Sequence, residues 1–195
     1  MEGNVNLKEL KQLTNEQLIE RFPFVKCRNR FSGEESEGIE LCRQWGWYDL
    51  ELLICEHIKP FYDSWNKELK ERFMILDSKE KYGTLRFYIS FGNDEIYKTI
   101  RDAEHLSRCV CTNCGKLKKN WNGKKAIIYK EKCFYGSCFC KKCAKEISSK
   151  NKGYEFRRVS EPFIYKISKF GEGKIVTEKY NSLELYNTTK KQINN

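Results

Sequence analysis

The chain has 195 residues, 39% of them hydrophobic and 14% aromatic, and a net charge of +10. That length holds one moderate core plus a small satellite module, and the apolar content excludes wholesale disorder despite a mean hydropathy of -0.73. No apolar run approaches the ~18 residues a membrane helix needs, and the start Met1-Glu2-Gly3-Asn4-Val5-Asn6 lacks a basic and then apolar leader. The expectation is a cytoplasmic protein with no membrane partner, whose ten cysteines hold metal more readily than one another.

In chain order, residues 6–21 read as helix from Leu7, Leu10, Leu13 and Leu18, with Thr14 to Gln17 matching a capping box that restarts it. Phe22-Pro23 ends it. Residues 24–47 read as irregular, with a polar loop over 32–38 and an aromatic turn at Trp45-Gly46-Trp47. A longer helical stretch over 49–72 repeats Leu50, Leu53, Ile54, Ile58, Phe61, Trp65 and Leu69 on one face, and Pro60 predicts a kink or break within it. Its Cys55 and His57, with Cys27 and Cys42 upstream, lack the spacing of a metal knuckle and read as buried thiols and a helix histidine.

Strand-like runs over 73–77 and 84–91 predict a β-hairpin, since Leu85, Phe87 and Ile89 alternate with polar residues. Arg86 on its polar face is a candidate anion contact; the bland reading is a solvated sheet face. Asn93 or Asp94 then caps a helix with Ile96, Ile100, Ala103 and Leu106 on one side.

That helix leads into the stretch with the most definite chemistry. Cys111-Thr112-Asn113-Cys114-Gly115 and Cys140-Lys141-Lys142-Cys143 are two C-x-x-C pairs separated by 25 residues, the spacing of a zinc ribbon. The simplest reading is one Zn2+ held by Cys111, Cys114, Cys140 and Cys143, with the coordination shell filled and the site therefore structural. Cys109, Cys138 and Cys133 leave other readings open: exchange of Cys109 or Cys138 for a neighbouring ligand, a two-metal thiolate cluster, or an iron-sulfur cluster or disulfide framework. Between the pairs, Asn122-Gly123 signals a turn and 126–129 a short strand. Trp121 either stacks on a base or caps the module's small core, where Phe134, Tyr135 and Phe139 are also expected. Two alternating runs over 163–168 and 174–177 predict a second hairpin, and residues from 181 on read as a polar tail.

Charge is concentrated on this module. Residues 1–107 carry 16 basic and 20 acidic side chains, whereas 108–152 alone carry 13 basic and 2 acidic, a net +11. A divalent ion with four thiolates reduces that by 2. Such a concentration attracts anions, and the candidate contacts are Lys118, Lys119, Lys124, Lys125, Lys141 and Lys142. The competing reading is a face kept solvated by its charge.

The run Lys79-Glu80-Lys81-Tyr82-Gly83-Thr84-Leu85-Arg86-Phe87-Tyr88, followed by Ala103-Glu104, Cys111-x-x-Cys114-Gly115 and Cys140-x-x-Cys143, resembles an uncharacterised protein family common in bacteriophages and prophages. Its members carry a similar K-E-K-F/Y-G-x-L-R-F-Y block, then C-x-x-C-G and a second C-x-x-C. Their G-W-F/Y-D-L element is similar to Gly46-Trp47-Tyr48-Asp49-Leu50 here. The resemblance covers about residues 46–143 and implies a phage or mobile-element origin, with a role in host takeover or counter-defence in the host cytoplasm. The extra cysteines, the basic run over 116–119 and the long C-terminal extension depart from the pattern.

The fold class expected is α+β. An N-terminal helical and hairpin core (1–108) is followed by a four-cysteine zinc-ribbon-like module (109–147), a C-terminal hairpin (148–180) and a tail (181–195). No nucleophile-base pair, phosphate-cradling glycine loop or open metal site stands out, so catalysis is not expected. The function expected is binding of a nucleic acid or phosphorylated nucleotide by the basic module. The alternative is docking on a host protein through an exposed aromatic patch, with Trp45, Trp47, Tyr48 and Trp121 as candidates. A third reading, an enzyme assembled from dispersed residues, would need a deep pocket ringed by carboxylates or by Arg and Tyr.

Overall fold

A computed structural model describes residues 7–29, 31–116, 125–131, 136–151, 154–162, 165–169 and 176–179. It is an α+β fold of helices and four small antiparallel sheets. Helix α1 (Leu7–Leu10) stops short of α2 (Asn15–Arg21), which restarts at the capping box. Thr14 Oγ1 accepts from the Gln17 amide at 3.2 Å, and Gln17 Oε1 accepts from the Thr14 amide at 2.9 Å. The stretch expected to be irregular contains a short antiparallel ribbon of β1 (Lys26–Arg28) and β2 (Glu35–Ile39).

Helix α3 (Tyr48–Ser64) continues through Pro60, so of the expected kink or break at that residue the break does not occur. Pro60 is on the exposed side, and Phe61, Tyr62 and Trp65 beyond it pack on the core, which outweighs one missing hydrogen bond. The chain breaks six residues later, where Asn66 Oδ1 accepts from the Leu69 amide at 2.9 Å and opens α4 (Lys67–Arg72).

Strands β3 (Ile75–Lys81) and β4 (Thr84–Ile89) form the expected hairpin, although the pairing runs further out than the sequence suggests. Only Tyr82 and Gly83 make the turn, both at positive φ (56° and 76°), as a two-residue type I′ turn requires. Leu85, Phe87 and Ile89 are buried, each contributing about 1.5–3 kcal/mol. They face α5 (Asp94–Ser107), capped by Asn93 and burying Ile96, Ile100, Ala103 and Leu106.

Among the described residues strand β4 has no further strand beside it, and α5 supplies its outer partners instead. Ser107 Oγ accepts from the Leu85 amide at 2.9 Å, and Glu104 Oε1 from the Phe87 amide at 3.1 Å. An edge that could recruit another chain is thereby closed by side chains.

Beyond α5, β5 (Lys125–Glu131), β6 (Cys138–Phe139) and β7 (Phe156–Pro162) form a sheet in the order β6-β5-β7. Helix α6 (Lys141–Lys150) covers part of it. A separate ribbon pairs β8 (Tyr165–Lys169) with β9 (Val176–Lys179), near the expected second hairpin. The main hydrophobic core does not stop at residue 108: Cys109, Val110, Ile128 and Cys138 belong to it together with Trp47, Leu50 and Leu106. No helix among the described residues is long and apolar enough to cross a membrane.

Candidate metal centre

Both C-x-x-C pairs sit where the backbone turns back on itself. In the first, the Gly115 amide donates to the Cys111 carbonyl at 2.9 Å, the Cys111 amide donates to the Lys116 carbonyl at 3.1 Å, and Gly115 has φ +71°. That left-handed conformation is cheap only for glycine. In the second, Cys140 is the N-cap of α6, and its sulfur accepts from the Cys143 amide at 3.5 Å.

Together they bring four sulfurs, those of Cys111, Cys114, Cys140 and Cys143, within 4.8 Å of one another. Among the described residues this is the only such grouping of potential ligands, and the nine described cysteines form no disulfide. Metal-thiolate bonds of about 2.3 Å at tetrahedral angles put sulfurs roughly 3.8 Å apart; Cys114 and Cys140 are separated by 3.8 Å. The donor set therefore fits one tetrahedral ion, with Asn113 Nδ2 3.4 Å from the Cys143 sulfur as an outer partner.

Burial pushes the Cys111 and Cys143 thiols up. It acts the same way on Cys140, but the Cys143 amide and the neighbouring thiols outweigh it and bring that group down to about 7.

The remaining cysteines of this region lie apart. Cys138 is fully buried, and its thiol donates to the carbonyls of Val110 (2.8 Å) and Ser107 (3.2 Å). Cys109 is buried in the main core. Cys133 lies outside the described residues. Upstream, Cys55 is buried in α3, and neither it, Cys27, Cys42 nor His57 belongs to a ligand group.

The first knuckle is pressed onto the N-terminal core through glycine. The Gly46 amide donates to the Thr112 carbonyl at 2.5 Å. A Cβ on Gly46 would lie 2.9 Å from the Cys114 nitrogen and nearer still to the Cys111 carbonyl oxygen and the Gly115 nitrogen; one on Gly115 would lie 2.7 Å from the Gly46 oxygen. Next to it, Trp47 Nε1 donates to the Val110 carbonyl at 3.0 Å. Thr112 ties the two halves together, its amide and hydroxyl both donating to the Cys138 carbonyl at 2.8 and 2.9 Å.

These contacts correct the aromatic-patch expectation. Trp47 and Tyr48 are 0% and 4% exposed, because Trp47 is the strut under the knuckle and Tyr48 opens a helix whose first turns are buried. Trp45 is half-buried and packs edge-on against Trp47. Arg86 is half-buried, and its guanidinium pairs with Glu104 at 3.1 Å.

Lys141 and Lys142 are exposed in the first turn of α6, with Glu146 3.7 Å from Lys142. Lys125 begins β5. Lys118, Lys119, Lys124, Trp121, Phe134, Tyr135 and the Asn122-Gly123 turn lie outside the described residues. Sequence reasoning missed α6, although Cys140, Cys143, Ala144 and Ile147 already have helical spacing. It also missed β7 and the part played by Gly46. Comparison with protein-family models, with curated proteins and with solved structures finds no match.

Proposed function

We propose that this is a zinc-stabilised, non-enzymatic binding protein in which one Zn2+ held by Cys111, Cys114, Cys140 and Cys143 fixes a lysine-rich module that engages a polyanion. The observation that carries this reading is the coincidence of an all-sulfur, four-donor set with a net +11 over residues 108–152. Four thiolates fill zinc's shell and leave no position for an activated water, so the ion's contribution is to folding. The charge that remains after metal binding is still about +9, enough to gather phosphate groups.

The partner on this reading is a nucleic acid or a phosphorylated nucleotide. The resemblance noted in the sequence supports, by itself, a setting in phage takeover of a host cell or in countering its defences. Docking on a host protein loses support with the burial of Trp47 and Tyr48.

Metal analysis of freshly purified protein should return one zinc per chain and a colourless solution, whereas iron would give visible absorption. Labelled DNA, RNA and nucleotides should show binding that weakens steeply with added salt, because each neutralised phosphate releases counterions. Absence of affinity for all three at low salt ends the polyanion reading.

A further inference from the structure

Helix α6 does not close fully onto the sheet it covers. Between them runs a groove of about 430 Å3 lined by Tyr129, Phe156, Ala144, Lys141, Lys145 and Ser148, within the size range of pockets that accept small-molecule-sized groups. Its floor is aromatic. Tyr129 and Phe156 are both half-buried, and Phe156 is fixed edge-on against Phe139 at 5.3 Å, next to the metal-binding cysteines. Its rim is cationic, with Lys141 and Lys145 exposed on α6. Arg158 is the cross-strand neighbour of Tyr129 and is exposed on β7, so the pair shares one face of the sheet.

Among the described residues no carboxylate lines this groove. Another cleft, about 470 Å3 beside Tyr62 and Phe73, differs in that its Lys26 and Arg28 are already paired with Glu35.

Resting on the polyanion reading above, we infer that the groove between α6 and the β5-β7 face seats single-stranded nucleic acid, with a base stacked on Tyr129 and the flanking phosphates held by Lys141, Lys145 and Arg158. The aromatic floor decides the class. A base inside a duplex has both faces occupied by its neighbours, whereas an unpaired base can be laid on a ring, and lysines at the rim then follow the backbone. Every base has such a face, so the groove selects strandedness over sequence. Because Phe156, Phe139 and Ala144 pack with Cys111, Cys140 and Cys143, the shape of the floor depends on the metal.

The test is fluorescence anisotropy with the full-length, zinc-loaded chain, using labelled single strands and duplexes of about 12 nucleotides or base pairs, within the usual footprint of such sites. Tyr129→Leu should weaken single-strand binding about tenfold and Tyr129→Phe should leave it unchanged, since only the ring is needed. Lys141→Glu with Lys145→Glu should lower affinity further and flatten the salt dependence, while Lys67→Glu with Lys70→Glu, the same charge change on α4, should not. Zinc content of each variant guards against misfolding. Ultraviolet crosslinking of the unmutated protein, mapped by mass spectrometry, should place the adduct on the peptides containing Tyr129 or Phe156.

Tight binding untouched by the groove variants, crosslinks elsewhere, or equal affinity for duplex would overturn the groove while leaving the polyanion reading intact. No binding to any nucleic acid or nucleotide at low salt would remove that reading, and the groove with it.

Discussion

Gly46→Ala is the smallest perturbation that reaches the metal centre without touching a ligand. The added methyl would sit 2.9 Å from the Cys114 nitrogen and nearer to two other backbone atoms of the knuckle, so no rotamer change can relieve it. Restoring an ordinary contact of about 3.4 Å to the nearest of these atoms requires the knuckle to retreat by about an ångström or more, which breaks register with Cys140 and Cys143. Overpacking of this kind costs about 1–3 kcal/mol, and losing the Gly46–Thr112 or Trp47–Val110 hydrogen bond leaves a buried group unpaired for about 1–3 more.

On the zinc reading, an ion at the four cysteines would hold the knuckle in the strained place, and a shift of about 3 kcal/mol should appear as a roughly 100-fold weaker zinc affinity in chelator competition. It should also appear as a lower melting temperature of the zinc-loaded protein. Gly33→Ala provides the comparison: Gly33 has a φ of +73° but a Cβ there would meet nothing within 4 Å, so it should cost only about 1–2 kcal/mol of backbone strain and leave zinc affinity alone. Equal effects of the two substitutions, or wild-type zinc affinity in Gly46→Ala, would refute the claim that the knuckle is seated on Gly46.

Glu51 predicts a pH signature. It is fully buried and accepts from the Cys42 amide at 3.0 Å and from the Ser78 hydroxyl, and burial lifts its carboxyl from 4.5 to about 7. The native state therefore binds the proton more tightly, so this group's contribution is whole below about pH 4.5 and fades as pH rises through about 7, by up to about 3 kcal/mol. Urea unfolding at pH 5 and pH 8 should show that fall in the wild type relative to Glu51→Gln; parallel profiles would disprove it. Cys140→Ser should abolish stoichiometric zinc binding, whereas Cys138→Ala should keep it and lose only stability, about 1–3 kcal/mol from the vacated hydrogen bonds and packing. Ser107→Ala should leave the Leu85 amide unpaired and cost about 1–3 kcal/mol, read as faster amide exchange along β4; unchanged exchange there would count against edge closure by α5.

Much of the fold was legible wherever a single period or a local cap decides it. The alternation of Leu85, Phe87 and Ile89, the helical repeat from Ile96 to Leu106 and the capping box at Thr14 each encode their element within about ten residues. The paired cysteines were legible because two knuckles that must meet at one ion leave the same spacing wherever they occur. What failed was everything settled by a distant partner. Trp47 looked like a surface aromatic because the carbonyl it bonds lies 63 residues on. The break at Asn66 was misplaced to Pro60 because a proline on the solvent side disturbs a helix less than its reputation suggests, while an asparagine able to cap a new helix decides the matter locally.

Gly46 and Gly115 connect the two halves of the chain in a way neither motif discloses alone. An aromatic turn followed by a helix, and a C-x-x-C followed by glycine, each read as local features. In the fold they are two sides of one contact, in which each backbone occupies the space where the other would carry a side chain. A knuckle seated in this way cannot be a bead on a tether, and the core that includes Trp47 and Leu106 continues through Val110 to Ile128 and Cys138. Metal binding should therefore stabilise the N-terminal helices as well as the module, since whatever binds only the folded form deepens the whole cooperative unit. Chelation should shift the unfolding of both parts together. Separate transitions on removing zinc, with the N-terminal one unmoved, would mean that the glycine contact carries no coupling.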